Sequence, residues 1–431
     1  MDAHRPSVVL STIGSLGDLY PVLSIARALR RMDVAPRLVL PPDDCAVARD
    51  WGLAADPVGP TQAELCRRLG MTRDEIAASV LHDPGPMLRD GLLPLLPSMT
   101  RAVRALCVGA SVVAGTTFAL PAALAAEQAD LPYVPLMLQP MMAFSAADPP
   151  RARGFGIAVR HGGAPGRAWN RGVMGLARAV LRLRHGSDLA AARAALGLPR
   201  QAGTPLLDHD AATPFRLGLW DPVFAPAPPD GPPGLEAVGF PPAPVGTLTD
   251  AQRAWLDAGP APLVVTLGSI AQGLGGPRFW EDAARLARRL GLRAVLLHGE
   301  ATAPGGPDVL SVPYAPHAQL FPRAAAIVHH GGIGTTAEAL RAARPQLILP
   351  VGGDQPDNAA RVARLGLGGV LPLRRFDSAR AEPRLARLLD RFDYAHAARL
   401  GRRIAATDGA AEAATRLAEL AARTSRAQSA N

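Results

Sequence analysis

The sequence predicts an α/β protein built from two doubly wound halves, each a parallel sheet with helices on its faces. Three observations carry that expectation. A length of 431 residues exceeds what one typical core accommodates, and a hydrophobic content of 48% is ample for two. Short apolar runs alternate with segments of helical spacing along the chain, the order that parallel sheets require. Between Asp221 and Gly246 the segment DPVFAPAPPDGPPGLEAVGFPPAPVG is too proline-rich for a helix or an inner strand, so it reads as a linker. The expected division is a first domain over 1–220, a linker over 221–246, a second domain over 247–405 and a terminal helix over 406–431.

Upstream of the linker, the strand candidates are Ser7 to Thr12, Arg37 to Leu40, Ser111 to Ala114, Tyr133 to Leu138 and Arg216 to Leu219. Downstream they are Leu263 to Leu267, Arg293 to His298, Ala325 to His329 and Gln346 to Pro350. Two such halves facing across a cleft let one hold a donor and the other an acceptor. The first loop, Gly14-Ser15-Leu16-Gly17-Asp18-Leu19-Tyr20-Pro21, follows strand one and opens a helix. Asp18 has two readings there: an acid complementing the helix dipole, or a general base that takes a hydroxyl proton.

The densest signal runs from Ala324 to Leu365, AAAIVHHGGIGTTAEALRAARPQLILPVGGDQPDNAARVARL. It reads strand, glycine turn, helix, strand, polar turn, helix. The first turn delivers free backbone amides at a helix start, where the dipole favours an anion, and the Thr335 and Thr336 hydroxyls add donors. A phosphate is the natural guest. Gly332-Ile333-Gly334-Thr335-Thr336-Ala337 also satisfies the dinucleotide fingerprint G-x-G-x-x-A, with Asp354 as the later acid. Against that reading, the strand ends in two histidines, and Asp354 is followed by Gln355, Asp357 and Asn358. A carboxylate beside an amide suits several hydroxyls of a hexose better than one ribose.

His330-x-Gly332-x-Gly334-Thr335-x-x-Glu338, followed by Pro350 and Asp354-Gln355, resembles the donor signature of the family-one glycosyltransferases. The variant HHGGIGTT with DQPDN is similar to the bacterial and sterol branch: rhamnolipid-type rhamnosyltransferases, sterol glucosyltransferases and antibiotic glycosyltransferases. Of these, the rhamnolipid type looks nearest, and the likeness covers nearly the whole chain. It implies a GT-B fold of two Rossmann-like domains, the last helix crossing back to the first. It further implies that His330 touches the donor diphosphate, that Gly332, Gly334, Thr335 and Thr336 cradle it, that Glu338 holds the ribose, and that Asp354 and Gln355 bind sugar hydroxyls.

The same resemblance bears on the other loops. Bacterial members often carry an aspartate in a GSxGD setting, which favours Asp18 as catalytic base. The TLGS pattern puts Ser269 on the phosphates, although a plain turn explains it too. Val312-Pro313-Tyr314-Ala315-Pro316-His317 occupies the place of a base-binding segment, with Tyr314 available to stack and His317 departing from the family's glutamine. For the acceptor, Gly17, Thr116, Phe118, Gln139, Met141, Met142 and Phe144 are the expected wall, since methionines adapt to varied apolar shapes; core packing is the competing account. Ser145 to Trp169, rich in glycine, proline and arginine, reads as a mobile lip over that wall.

Together these features imply an inverting transfer of a hexose or deoxyhexose from a UDP- or dTDP-sugar to a hydroxyl, less often carbon, of a lipophilic acceptor. No cofactor beyond the donor co-substrate is expected. A nucleotide-sugar epimerase or a non-catalytic nucleotide-sugar-binding subunit are the alternatives. The Asp208-His209-Asp210 string resembles a manganese motif, but loop acids explain it, and no metal is expected. Net charge is +9 with all 46 basic residues arginine, a bias that suits a GC-rich genome better than a nucleic-acid surface. Contact with a membrane face stays open. Cys45, Cys66 and Cys107 form no metal spacing and fit a reducing cytoplasm. Glycine and proline interrupt the uncharged run Val108 to Ala126, so neither a spanning helix nor a signal peptide is expected. Either a monomer or a homodimer is compatible.

Overall fold

The computed structural model describes residues 5–159, 163–201, 213–243, 246–269, 272–276 and 278–430. Its chain divides into two compact units: one of Met1–Pro150, Gly154–Pro242 and Thr407–Asn431, the other of Arg151–Arg153 and Ala243–Ala406.

The first unit contains β1 (Ser7–Ser11), β2 (Ala35–Leu40), β3 (Ala55–Pro57), β4 (Val112–Thr116), β5 (Tyr133–Met137), β6 (Arg216–Gly218) and β7 (Leu235–Ala237). All pair in parallel, in the order β3-β2-β1-β4-β5-β6-β7. The order reverses between β1 and β4, which makes their carboxyl ends the switch point where ligands gather in such sheets. One face of the sheet packs on the helix Leu16–Arg31 and on the terminal helix Gly409–Ala430, whose Ala413, Ala414, Leu417 and Ala421 are fully buried. The opposite face packs on Leu96–Leu106 and Leu120–Ala129.

The proline-rich segment is less of a linker than its composition suggests. Its residues up to Pro242 belong to the first unit, and Leu235–Ala237 forms edge strand β7. Proline is tolerated beside an edge strand because one side needs no ladder bonds. The expected lip also differs: Gly163–Ala195 is a single 33-residue helix that carries Trp169. The segment before it is pinned by two side chains. The Asp230 carboxylate accepts from the Ser145 hydroxyl and from the amides of Ala146 at 2.8 Å and Ala147 at 3.2 Å. Asn170 Oδ1 accepts from the Val159 amide at 2.9 Å, and its Nδ2 donates to Ala146 O at 2.9 Å.

In the second unit the strands are β8 (Leu263–Thr266), β9 (Ala294–Leu297), β10 (Val309–Val312), β11 (Ala326–His329), β12 (Gln346–Ile348) and β13 (Gly368–Val370). They too are parallel, in the order β10-β9-β8-β11-β12-β13, with the reversal between β8 and β11. Apolar clusters cover both faces. Among the described residues, no helix is long and apolar enough to cross a membrane.

Candidate active site

Each switch point is followed by a turn that opens a helix, and the two turns are closed differently. After β1, Ser15 is the N-cap of Leu16–Arg31, and Asp18 lies at its third position. Asp18 Oδ2 accepts from the Ser15 amide at 2.7 Å and from its hydroxyl at 2.9 Å, while Ser15 Oγ accepts from the Gly17 amide at 3.2 Å. This capping box satisfies the helix start from within. A Cβ on Gly14 would sit 2.4 Å from Asp18 Oδ2, so the carboxylate folds back over a glycine that cannot be enlarged. Burial raises the Asp18 carboxyl above its ordinary value, with the Ser15 bonds opposing that shift. Asp44 is pushed up to about 6 by burial and by the charges of Asp43 and Asp18.

The turn after β11 is built around buried imidazoles. His329 is fully enclosed: its Nδ1 accepts from the Gly331 amide at 3.2 Å, so its Nε2–H donates to Gln346 Oε1 at 3.0 Å. It is a framework side chain. His330 projects instead between two glycines. A Cβ on Gly268 would stand 2.3 Å from His330 Cε1, and one on Gly332 would stand 2.4 Å from its Nε2. Gly268, in the loop after β8, also has a left-handed φ of +65°. Burial, with smaller contributions from His329 and His317, lowers His330 to about 3, and the ring is therefore neutral at physiological pH.

Gly332 caps the helix Ile333–Arg341 without any side-chain bond. The first amides of that helix have no acceptor within it. Among the described residues nothing bonds His330 Nδ1 or Thr336 Oγ1, both buried. Unsatisfied buried polar atoms of this kind are uncommon in native folds and mark a site or a strain. Thr335 is buried beside them, Gly334 has open space around it, and Ser269 follows Gly268 half-buried.

Asp354 and Gln355 open the helix Gln355–Arg364 after β12. Asn358, one helical turn on, donates from Nδ2 to Asp354 Oδ2 at 2.7 Å and to Gly331 O at 2.9 Å. It thereby ties the acid to the glycine turn, a role that the sequence reading did not assign. Gln355 is turned inward, its Oε1 accepting from the Val351 amide at 2.8 Å. Its carbonyl oxygen thus braces its own loop. Glu338 is buried and paired with Arg341. Burial, then the Glu338 carboxylate, raises the Tyr314 hydroxyl, which places these two side chains within electrostatic reach. His317 stacks on Phe321, ring centroids 4.4 Å apart, and burial lowers it to about 4.

The residues expected at the acceptor wall do not share one environment. Thr116 shares a 2.9 Å hydrogen bond with Thr12 across the β1–β4 switch point, and with Met137 and Met142 it lines a small cavity. Phe118 packs on the core beneath the sheet. Gln139 and Met141 are half-buried at the short turn Pro140–Ala143, and Gly17 belongs to the capping turn. Phe144 is buried with Val173 and Met174, edge-on to Phe155 at 5.3 Å. Asp208-His209-Asp210 lies outside the described residues. Among the described residues, no group of three His, Cys, Asp or Glu side chains could hold a metal ion.

Known proteins match this architecture. The model of the erythromycin biosynthesis protein CIII-like C-terminal domain matches residues 296–420, which span the turns after β11 and β12. Vancomycin aglycone glucosyltransferase of Amycolatopsis orientalis is 31% identical, with 96% of this chain and 98% of that protein covered. The solved glycosyltransferase of kitacinnamycin superposes with a TM-score of 0.71 at 20% identity, covering 96% of this chain and 99% of its own. For the glycosyltransferase VinC in complex with dTDP the values are 0.68, 22%, 96% and 100%. The fold is GT-B. The chain belongs to the family-one glycosyltransferases of the antibiotic type, and it is an enzyme of that class.

Proposed function

We propose that this enzyme transfers a hexose or deoxyhexose, with inversion, from a dTDP- or UDP-sugar to a hydroxyl of a lipophilic natural-product acceptor. The observation that carries the donor half is the neutral His330 imidazole, seated between Gly268 and Gly332 beside an uncapped helix start. An imidazole held neutral offers one N–H donor, and the helix amides offer several more, aimed where diphosphate charge develops as the donor bond breaks. The dTDP complex of VinC supports thymidine diphosphate as one nucleotide to test first.

In the transfer step the acceptor oxygen attacks the anomeric carbon from the face opposite the diphosphate. The bond from that carbon to the phosphate oxygen breaks, the nucleoside diphosphate leaves with the electron pair, and the hydroxyl proton passes to Asp18. A carboxyl raised by burial is a better base than an ordinary aspartate, so its elevated position supports this role. Asp354, held by Asn358, binds hydroxyls of the sugar, with Gln355 beside it. Tyr314 lies against the base, and Glu338 reaches the ribose once it is released from Arg341. The acceptor rests on Met137, Met142 and Thr116.

Mass spectrometry of reactions with a panel of dTDP- and UDP-sugars and lipophilic hydroxyl acceptors tests the reading, with the anomeric configuration of product read by NMR. The expected product is a glycoside of inverted configuration. Epimerised donor with no glycoside, or donor hydrolysis alone across the panel, would overturn it.

A further inference from the structure

Eleven large hydrophobic side chains are exposed among the described residues, and six of them fall between Ile157 and Leu183. Scattered exposed hydrophobes need no explanation, but a contiguous stripe does. On the long helix Gly163–Ala195, Trp169, Leu176, Val180 and Leu183 recur at spacings of seven, four and three, which puts them on one face. Leu183 is 85% exposed, Leu176 59% and Trp169 56%. Asn170, Met174 and His185 pack inward on the other side, as does Val173, which is covered where it falls between Trp169 and Leu176. Trp169 Nε1–H donates to Ile157 O at 2.8 Å, so Ile157 and Val159 extend the stripe past the helix start. From Trp169 to Leu183 the helix runs about 21 Å.

Arginine outnumbers acid around this stripe. Between Asp148 and Asp188 the chain carries eight arginines and no aspartate or glutamate. Arg184, exposed beside Asp83 at 3.5 Å, borders the stripe about 40° around the helix from Val180, and Arg182 is exposed about 100° beyond Leu183 on the other side. An apolar face with a tryptophan, bordered by arginine, is the composition of a helix that lies in the headgroup region of an anionic bilayer. A second copy of the same face would bring two arginine sets together, which opposes self-association through it.

We infer that the outer face of Gly163–Ala195 docks on an anionic phospholipid surface, with its axis in the membrane plane. An enzyme so placed would meet lipophilic acceptors where they partition. The helix lies on the surface and does not span it, in keeping with its arginine content.

Co-sedimentation of the full chain with vesicles of phosphatidylglycerol and phosphatidylcholine, against phosphatidylcholine alone, tests this. Binding is expected on the anionic vesicles. It should weaken about tenfold or more in 0.5 M NaCl and in the double variant Leu176→Ser with Leu183→Ser. Both leucines are exposed, so the variant should keep its thermal midpoint and its activity on a water-soluble acceptor. Absence of binding, binding indifferent to lipid charge, or an unchanged double variant would overturn the inference. A wild-type dimer that the double variant dissolves would assign the stripe to a second copy instead.

Discussion

The turn after β1 and the turn after β11 each flank the order reversal of their own sheet, yet one is closed by its own side chains and the other is left open. Ser15 and Asp18 satisfy the start of Leu16–Arg31 with three short hydrogen bonds and a negative charge. Gly332 leaves the start of Ile333–Arg341 bare, with His330 Nδ1 and Thr336 Oγ1 unbonded among the described residues. A helix start already holding a carboxylate repels a second anion, whereas a bare one attracts it. Two switch-point loops thus acquire opposite chemistry from a few residues: the first offers a carboxylate, the second an opening for an anion.

The largest effect that separates the turns should be kinetic. Asp18→Asn keeps the side chain's shape and removes its basicity. Transfer kcat should fall by about 10²–10⁴ in steady-state assays while donor KM changes little. Survival of kcat would remove Asp18 from the proton step.

Stability against pH should distinguish the turns by sign. His317, His329 and His330 are lowered to about 4, 4 and 3, so the stability that neutral burial supports is present above pH 6.5 and is lost as pH falls toward those values. Asp18 acts in reverse, since a raised carboxyl loses stability as pH climbs above 3.8. Thermal melts should show a midpoint that drops on going from pH 7 to pH 5, because three histidines outweigh two raised acids, Asp18 and Asp44. A flat profile would mean that the imidazoles are solvated.

Next in size is Gly268→Ala, which drives a methyl into His330 at a left-handed φ. Stability should fall by about 1–3 kcal/mol in denaturant melts, and donor KM should rise with it. Ser15→Ala should be the mildest, costing about 1 kcal/mol through lost capping. Its kcat pH profile should also shift to higher pH, because the Ser15 bonds hold the Asp18 carboxyl down.

What could be read from the sequence follows from burial. Every central strand was legible as an apolar run, because strands covered on both faces admit little else. The four strands it missed, β3, β7, β10 and β13, are the four sheet edges. Edge strands are short and partly exposed, so ADP or GGV carries no periodic signal. The donor motif was legible because glycine, histidine and threonine were bunched in one turn. Its supports were not: Gly268 faces His330 from 62 residues away, and Asn358 joins Asp354 to Gly331 through a turn of helix. Asp230 was hidden among prolines, although it fixes Ser145 to Ala147.

The division of labour between the turns has one direct test. Calorimetric titration of dTDP and UDP into wild type, His330→Ala and Asp18→Ala reads anion affinity at each. His330→Ala should weaken the better nucleotide by about tenfold or more, the value of one to two buried charge-assisted hydrogen bonds, and Asp18→Ala should leave it within about twofold. Equal losses in both variants, or a loss in Asp18→Ala alone, would contradict the account.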